Sequence, residues 1–246
     1  MSVDFQIDSS VAVLTLNNPK NLNALSTNFV EEIYDHLIDI EKRANVLVIF
    51  GTEKAFAAGV DINEIDALSF EQALLKEFID YKWERILNVK IPVISGVEKY
   101  ALGGGFELAL ASDIIIANEN AKFGFPEVNL GLMPGLGGTQ LLTRIVGPKK
   151  ASELIMRGDF IDAKEALRLN IISKTVPSTS DLRRETLNLA NKIAQKSPTS
   201  LRLIKEAIQL SQNAGCIQGI KTERNLFRSL FATSFKEKLT KEFLKK

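Results

Sequence analysis

The stretch Ala101–Ala111, ALGGGFELALA, points most directly to the architecture of this sequence. Its three glycines, Gly103–Gly105, stand directly before an apolar run that reads as a helix. Glycines let the backbone approach a ligand closely, and the free N–H groups at the start of a helix favour negative charge. The stretch therefore predicts a helix start that can bind an anion or an oxyanion.

Glu107, which stands among apolar residues in the first turn of that helix, is the first candidate catalytic group. A buried carboxylate is costly unless it has a partner or a chemical role. The alternative is a surface glutamate favoured by the helix N-terminus, with glycines that serve only close packing. The stretch alone leaves both interpretations open.

A second candidate acid, Glu127, ends the stretch Phe123–Glu127, FGFPE, and the glycine-rich stretch Gly131–Thr139, GLMPGLGGT, follows it. Glycine and proline at this density predict a rigid, sharply turning loop that holds Glu127 and offers backbone donors. For the segment in isolation, an ordinary solvated glutamate is the simpler explanation. A dinucleotide fingerprint is excluded because Gln140 occupies the position of its last glycine.

A third candidate segment is Lys54–Ile62, KAFAAGVDI, which follows the apolar run Val46–Phe50. Ligands in α/β proteins collect where strands end in this way. The small side chains at 57–59 would let a backbone N–H near Val60 point into a cleft. The alternative is an ordinary strand-to-helix loop with Asp61 as a helix cap.

Around these segments, buried strands and helices alternate, which indicates the α/β class. After residue 176 the pattern becomes almost wholly helical, so the sequence predicts an α/β core over 1–176 and a helical region over 177–246. The predicted strands and helices are strands at 11–16, 46–50, 92–94, 114–116 and 172–176, and helices starting at Ser26 or Thr27, at Gly103–Gly105, and over 70–88, 138–146, 180–196, 199–212, 217–230 and 235–244.

The composition excludes several classes of function. Of the 246 residues 45% are hydrophobic, so the chain can form a core, and 31 basic against 30 acidic side chains argue against nucleic-acid binding. One cysteine, Cys216, and one histidine, His36, give neither a disulfide nor a zinc site. The first seven residues lack an export signal, and no apolar run approaches the roughly 20 residues of a membrane span. We therefore expect a cytoplasmic protein that does not enter a membrane.

Taken together and in this order, these segments resemble the crotonase superfamily, whose typical member is enoyl-CoA hydratase. The resemblance implies a spiral of ββα units, rather than a doubly wound sheet, and a helical C-terminal region that assembles trimers or dimers of trimers. It is carried nearly end to end by Asn17-x-Pro19, Asn23-Ala24-Leu25, Phe56-x-Ala58-Gly59-x-Asp61-Ile62, Gly103–Glu107, Ser112-Asp113-Ile114, Ala121-x-Phe123-Gly124-x-Pro126-Glu127, Gly131, Pro134-Gly135-x-Gly137-Gly138-Thr139-Gln140 and Arg144-x-Val146-Gly147.

The resemblance also implies a role for individual positions. The backbone N–H groups of Val60 and Gly104 would receive the thioester oxygen, Glu107 would act as base on water, and Glu127 would act as acid toward C2. The Gly135 N–H would help to hold the water, and neither a metal nor a cofactor is expected, because CoA is part of the substrate. The expected substrate- and CoA-binding residues are Ala24, Leu25, Ala58, Asp61, Ile62, Lys20 and Lys54.

The reaction implied is the reversible addition of water to a 2-enoyl-CoA thioester, giving 3-hydroxyacyl-CoA, as in fatty-acid β-oxidation. Because both Glu107 and Glu127 are present, hydration is favoured over the alternative of a Δ3,Δ2-enoyl-CoA isomerase or other crotonase-type acyl-CoA chemistry. An alternative of another class is a non-catalytic acyl-CoA or RNA-binding protein. The net charge of +1 argues against RNA.

The sequence departs from the family pattern just before Tyr100, where relatives usually have Asn-Gly and this chain has Glu98-Lys99. We expect an exposed, salt-bridged pair at a loop edge. The alternative is an altered pocket rim with a different acyl preference.

Overall fold

Two β-sheets form the framework of the protein in a computed structural model, which describes residues 2–79 and 81–245. In spatial order the larger sheet contains β1 (Ser2–Asp8), β2 (Val11–Asn17), β3 (Val46–Phe50), β4 (Val93–Val97), β6 (Ile114–Asn118) and β9 (Lys174–Val176), and the smaller sheet contains β5 (Tyr100–Leu102), β7 (Lys122–Gly124) and β8 (Phe160–Asp162). In the larger sheet β1 and β2 are antiparallel, and the other neighbouring strands are parallel. In the smaller sheet β5 and β7 are parallel, and β7 and β8 are antiparallel.

Helices connect and cover these strands. None of the helices in the described part of the chain is long and apolar enough to cross a membrane. They are α1 (Thr27–Arg43), α2 (Ile62–Asp66), α3 (Phe70–Leu75), α4 (Tyr81–Leu87), α5 (Gly104–Leu110), α6 (Gly138–Val146), α7 (Pro148–Arg157), α8 (Ala163–Arg168), α9 (Thr179–Ala194), α10 (Pro198–Leu210), α11 (Cys216–Ser229) and α12 (Ser234–Phe243), with 3-10 turns at Pro19–Asn21, Pro126–Leu130 and Leu230–Ala232.

Successive turns of the chain repeat one pattern, a strand of the larger sheet, a short segment in a second layer and a helix. β4 is followed by β5 and α5, and β6 by β7 and the 3-10 turn Pro126–Leu130. In the preceding turns the second layer consists of two parallel bridges, Leu25 with Val60 and Ala57 with Ala101. This is the ββα spiral that the resemblance to the crotonase superfamily implies.

Both faces of the larger sheet are covered, which explains why its strands read as continuous apolar runs. In β3, Leu47 and Ile49 belong to the core that includes the buried side of α1, whereas Val46, Val48 and Phe50 pack with Leu182 and Ala190 of α9. The first helix of the region 177–246 thus covers one face of the sheet. The division of the chain at residue 176 stays a prediction.

One expected helix, over 70–88, is wrong: the structure has two helices there, α3 and α4. α3 ends in a Schellman motif, in which the Phe78 N–H donates to the Ala73 carbonyl (3.0 Å) and the Glu77 N–H to the Leu74 carbonyl (3.2 Å). Glu77 has the left-handed φ of +47° that this motif requires. Because neither glycine nor proline marks the break, the sequence pattern did not show it.

The expectation of an exposed Glu98-Lys99 pair is also wrong. Glu98 is only 6% exposed, and its carboxyl accepts a hydrogen bond from Thr179 at the start of α9. Burial raises the pKa of Glu98 above its usual value, although the Thr179 hydrogen bond and the charge of Lys99 oppose the shift. Lys99 itself is exposed and adopts a left-handed φ of +55°.

Candidate active site

Two loops that carry the candidate backbone donors are joined by a short ladder of hydrogen bonds. The Ala57 N–H donates to the Tyr100 carbonyl (3.1 Å), and the Leu102 N–H donates back to the Ala57 carbonyl (3.0 Å). A Cβ atom at Gly105 would overlap that Ala57 carbonyl, so only glycine permits this approach. The ladder holds the start of α5 against the loop that leads to Val60.

The backbone N–H groups of Val60 and Gly104 lie side by side at the junction of these loops. A Cβ built on Gly104 would stand 3.5 Å from the Val60 nitrogen. Among the described residues, neither N–H donates to a protein acceptor, and both residues line the same cavity. The preceding Gly59 has a φ of +110°, which favours glycine. The pair can therefore donate two hydrogen bonds to one oxygen of a ligand.

Asn23 fixes the loop that precedes Val60, a role that the sequence analysis did not identify. This fully buried side chain accepts from the Asn18 N–H (2.7 Å) and donates to the carbonyls of Ala55 (2.8 Å) and Phe56 (3.0 Å). Asn23 adopts a φ of +56°, a conformation that asparagine tolerates better than most residues. Its place in the motif Asn23-Ala24-Leu25 was the available signal.

Glu107 is buried and partnered, as its functional interpretation requires. It is 1% exposed, and its Oε1 accepts hydrogen bonds from the N–H groups of Leu136 (2.7 Å) and Gly138 (2.6 Å). Burial raises its pKa to about 7; the two N–H donors oppose this shift, and the charge of Glu127 adds to it. Glu107 therefore exchanges its proton near neutral pH.

Glu127 lies in the 3-10 turn Pro126–Leu130 and is half-buried. Its Oε2 atom is buried and has no hydrogen-bond partner within the described residues. Its Oε1 atom would lie 2.9 Å from a Cβ at Gly103, so this carboxyl packs against the glycine run that precedes α5. Burial raises the pKa of Glu127, and its own backbone N–H opposes the shift.

One cavity of about 410 Å³ brings these groups together. Its walls include both carboxyl groups, the Val60 and Gly104 backbone and Gly135, all of which the sequence analysis predicted for the site. Of the predicted substrate-binding residues, Ala58 and Ile62 also line it. The other walls are largely apolar and come from Gly59, Ile65, Leu68, Ser69, Phe70, Ala73, Phe78, Ile79, Gly103, Pro126, Leu130, Leu132, Met133 and Leu136.

Five predicted substrate-binding residues lie outside this cavity. Asp61 caps α2, because its Oδ1 accepts from the backbone N–H (3.0 Å) and side-chain amide (2.9 Å) of Asn63. Leu25 is buried and lines a neighbouring cavity of about 130 Å³. Lys20 and Lys54 are exposed, and Ala24 is half-buried. The structure therefore shows the capping role of Asp61, and the substrate contacts of these five residues stay predictions.

The chain is similar in sequence to known proteins. A protein from Rhizobium meliloti named "Probable enoyl-CoA hydratase" is 44% identical over 91% of this chain and 87% of its own length. The 2,3-dehydroadipyl-CoA hydratase of Escherichia coli is 39% identical over 96% of this chain and 92% of its own length.

A crystal structure described as an enoyl-CoA hydratase from Bacillus anthracis superimposes with a TM-score of 0.94 at 32% identity, covering 100% of this chain and 96% of that one. The family model for enoyl-CoA hydratase/isomerase matches residues 6–246. These matches confirm the fold expected from the sequence. The family model covers nearly the whole chain, and this protein belongs to the enoyl-CoA hydratase/isomerase family.

Proposed function

We propose that this protein is an enoyl-CoA hydratase, which adds water reversibly to 2-enoyl-CoA thioesters and gives 3-hydroxyacyl-CoA. The observation that carries the proposal is that the carboxyl groups of Glu107 and Glu127 share one cavity with the free N–H groups of Val60 and Gly104. The names of the relatives support the same reaction.

The two N–H groups would bind the carbonyl oxygen of the thioester. When water adds to C3, negative charge develops on this oxygen, and a fixed donor aimed at it stabilises the transition state by about 3 kcal/mol. The donors of Val60 and Gly104 have no competing protein acceptor among the described residues. They are therefore preorganised for the charged state.

The two carboxyl groups would move the protons of the reaction. Glu107, held at Oε1 by Leu136 and Gly138, has its other oxygen left to accept a proton from water. Its pKa of about 7 suits a base that works near neutral pH. The Oε2 of Glu127 has no hydrogen-bond partner in the part of the chain that the structure describes, which suits a protonated carboxyl that would give its proton to C2.

The steps balance without another reactant. The oxygen of water forms the bond to C3, one proton of water passes to Glu107, and the proton of Glu127 forms the new bond at C2. A proton then returns from Glu107 to Glu127 and restores the starting state. The Gly135 N–H, at the cavity wall, would help to hold the water. We propose that neither a metal nor a redox cofactor takes part, because these groups supply every proton and charge that the reaction needs.

The exposed apolar side chains of the last three helices support the proposal of a homotrimer or a dimer of trimers. Of these helices α10 contacts α11, and exposed large apolar side chains on helices that pack together are typical of protein–protein interaction sites. The side chains are Ile204, Ile208, Ile217, Ile220, Phe227, Phe235, Leu239 and Phe243. A role in fatty-acid β-oxidation and a cytoplasmic location stay predictions.

The experiment is to mix the purified protein with crotonyl-CoA and follow the absorbance of the conjugated thioester. Loss of the band together with formation of 3-hydroxybutyryl-CoA would support the proposal. If crotonyl-CoA is unchanged while a 3-enoyl-CoA gains the conjugated band, the protein is an isomerase. RNA binding with a steep salt dependence and no turnover would contradict an enzymatic function.

A further inference from the structure

A short segment that runs from the end of α7 into β8, residues 158–160, packs against the chain before Glu127. Where β7 and β8 pair antiparallel, Gly124 lies opposite Phe160. A Cβ at Gly124 would stand 2.8 Å from both the Asp159 carbonyl oxygen and the Phe160 Cδ1 atom. Because only glycine permits this approach, the segment 158–160 holds the backbone closely three residues before Glu127.

The same segment packs against the turn that follows Glu127. Gly158 is buried, and a Cβ at this position would stand 2.7 Å from the Val128 Cγ1 atom and 2.8 Å from the side-chain nitrogen of Asn129. That nitrogen donates a hydrogen bond to the Gly158 carbonyl oxygen (3.3 Å). Gly158 also has a φ of +67°, which favours glycine. One short segment thus contacts the chain on both sides of Glu127.

The carboxyl group of Glu127 depends on its own backbone for its position. Its Oε2 atom has no hydrogen-bond partner among the described residues, and the donor that acts on the carboxyl is the backbone N–H of Glu127 itself. A shift of the turn would therefore carry the carboxyl with it. In the proposed reaction this group must reach C2, and a misplacement of about 1 Å can lower a rate about 100-fold.

We propose that the segment 158–160 positions Glu127 for proton transfer, acting through Gly158 and the side-chain amide of Asn129. The inference rests on the proposed function, since it concerns the carboxyl that would give its proton to C2. Neither Gly158 nor Asn129 is among the described residues that line the cavity. They would therefore change the rate of the reaction without touching the substrate.

The first test is Gly158→Ala, because its methyl group would push Val128 and Asn129 and shift the turn that carries Glu127. We expect kcat for crotonyl-CoA to fall at least about tenfold and KM to stay within about threefold, since a displaced acid slows proton transfer more than it weakens binding. An unchanged kcat in a folded Gly158→Ala variant would overturn the inference.

Gly131→Ala is the matched control for backbone strain. Gly131 ends the turn that carries Glu127 and has nearly the same conformation as Gly158, with φ +70° and ψ 20° against φ +67° and ψ 14°. A Cβ at Gly131 would meet no atom within 4 Å. Gly131→Ala should therefore keep kcat within about threefold. An equal loss in the two variants would assign the effect to strain rather than to the contact, and would overturn the inference.

A double-mutant cycle tests whether Gly158 acts through Glu127. In Glu127→Gln the acid is already absent, so adding Gly158→Ala should lower the residual kcat by less than about twofold. A structural role unrelated to Glu127 would instead make the two losses multiply. Losses that multiply would contradict the inference.

Asn129→Leu tests the second contact and keeps the inference testable if Gly158→Ala does not fold. Leucine has nearly the size of asparagine and cannot donate to the Gly158 carbonyl, so we expect kcat to fall at least about fivefold. Asn120→Leu is the control, because Asn120 is exposed in the turn before β7. It should leave kcat unchanged. A kcat within about twofold of the original protein in Asn129→Leu would overturn the inference.

Carbon-13 NMR of the glutamate carboxyl groups separates this inference from the proposed reaction, because a titration requires no turnover. The Glu127 signal is identified by its absence in Glu127→Gln. Burial raises the pKa of Glu127 above its ordinary value of 4.5, and Glu107 is the titratable group that faces it in the cavity. In Gly158→Ala the titration midpoint of Glu127 should move towards 4.5, because the displaced carboxyl meets water.

The midpoint of Glu127 should stay unchanged in Gly131→Ala. If it moves in Gly158→Ala alone while the original protein does not hydrate crotonyl-CoA, the positioning of Glu127 holds and only the proposed reaction is wrong. If the original protein hydrates crotonyl-CoA and the midpoint does not move in Gly158→Ala, only the inference is wrong.

Discussion

Glu107 accepts a 2.6 Å hydrogen bond from the Gly138 N–H, and the same contact leaves no room for a side chain at position 138. A Cβ at Gly138 would stand 2.9 Å from the Glu107 Oε1 atom and 2.6 Å from the Phe125 ring. The backbone donor that orients the carboxyl group therefore requires glycine at this position.

We predict that Gly138→Ala lowers kcat for crotonyl-CoA at least about tenfold, because the methyl group displaces the Glu107 carboxyl. Overpacking of this kind should also lower the free energy of unfolding by about 1 to 3 kcal/mol. Both quantities can be measured on the purified variant, by hydration kinetics and by urea denaturation.

Gly219→Ala is the control for this prediction. Gly219 lies in α11, where a Cβ would meet no atom within 4 Å. Alanine in a helix interior should raise the free energy of unfolding by up to about 1 kcal/mol and leave kcat unchanged. Full activity in Gly138→Ala would show that this contact does not orient Glu107.

The stability of the protein should depend on pH through Glu107. Folding raises the pKa of this carboxyl from 4.5 to about 7, so the folded state binds its proton more tightly than the unfolded state. The contribution of Glu107 to the free energy of unfolding is therefore full below about pH 4.5 and is lost as the pH rises through 7. The loss amounts to about 3 kcal/mol.

Glu107→Gln removes this titration and keeps an oxygen that can accept from Leu136 and Gly138. Relative to the original protein, the variant should gain about 2 to 3 kcal/mol in unfolding free energy between pH 5 and pH 8. Urea denaturation at the two pH values measures this difference. An equal change in both proteins would contradict the raised pKa.

Removal of the Asn23 amide should loosen the loop that carries the Val60 N–H. We expect Asn23→Ala to lower the free energy of unfolding by about 2 to 3 kcal/mol, because the Asn18 N–H and the Phe56 carbonyl lose their hydrogen bonds to Asn23 and the Ala55 carbonyl keeps only its bond from Thr52. Because the oxyanion donors act in the transition state, kcat should fall more than KM rises. Asn21→Ala is the control, because Asn21 is exposed in the same turn. It should leave the free energy of unfolding, kcat and KM unchanged.

A buried ion pair joins the C-terminal helices to the larger sheet. The Lys205 ammonium donates to the Asp113 carboxylate (2.8 Å) and to the Ile91 carbonyl (2.9 Å), and its side chain is 4% exposed. We expect Lys205→Met to lower the free energy of unfolding by about 2 to 4 kcal/mol, because Asp113 and Ile91 lose their shared donor.

The same variant should keep its KM for crotonyl-CoA within about twofold. Ile91 lies before the start of β4, whereas the candidate site lies beyond its end. Lys164→Met, at an exposed lysine of α8, is the control and should leave stability unchanged within about 0.5 kcal/mol. If KM for crotonyl-CoA rises in Lys205→Met by a factor equivalent to the lost free energy of unfolding, the Lys205–Asp113 pair also positions the residues of the candidate site.

The sequence predicts those parts of the fold that carry a strong local signal. The strand β3 was predicted from a continuous apolar run, and all five of its residues are buried; the predicted helix over 138–146 matches α6. The smaller sheet was missed because β5, β7 and β8 have three residues each, too few to show alternation. The break after α3 was missed because Glu77 supplies the left-handed turn without a glycine.

At the site, the family resemblance carried by the glycine-rich segments implied which residues meet, but not how they are held. Glu107 could be placed on a helix start from the sequence, whereas its two donors come from residues 29 and 31 positions further along the chain. The hydrogen-bond partner of the Glu98 carboxyl, Thr179, lies 81 positions further along the chain, which no local pattern encodes. Long-range partners of this kind require the fold.

The measurement that tests the central claim most directly is the rate of crotonyl-CoA hydration in Glu107→Gln and Glu127→Gln. Each substitution removes one proton-transferring group and keeps its size, so we predict that turnover falls by about 100-fold or more. Binding of butyryl-CoA should remain within about threefold of the original protein, since the N–H groups proposed to hold the thioester oxygen, those of Val60 and Gly104, are unchanged. Turnover close to that of the original protein in either variant would contradict the roles assigned to the two carboxyl groups.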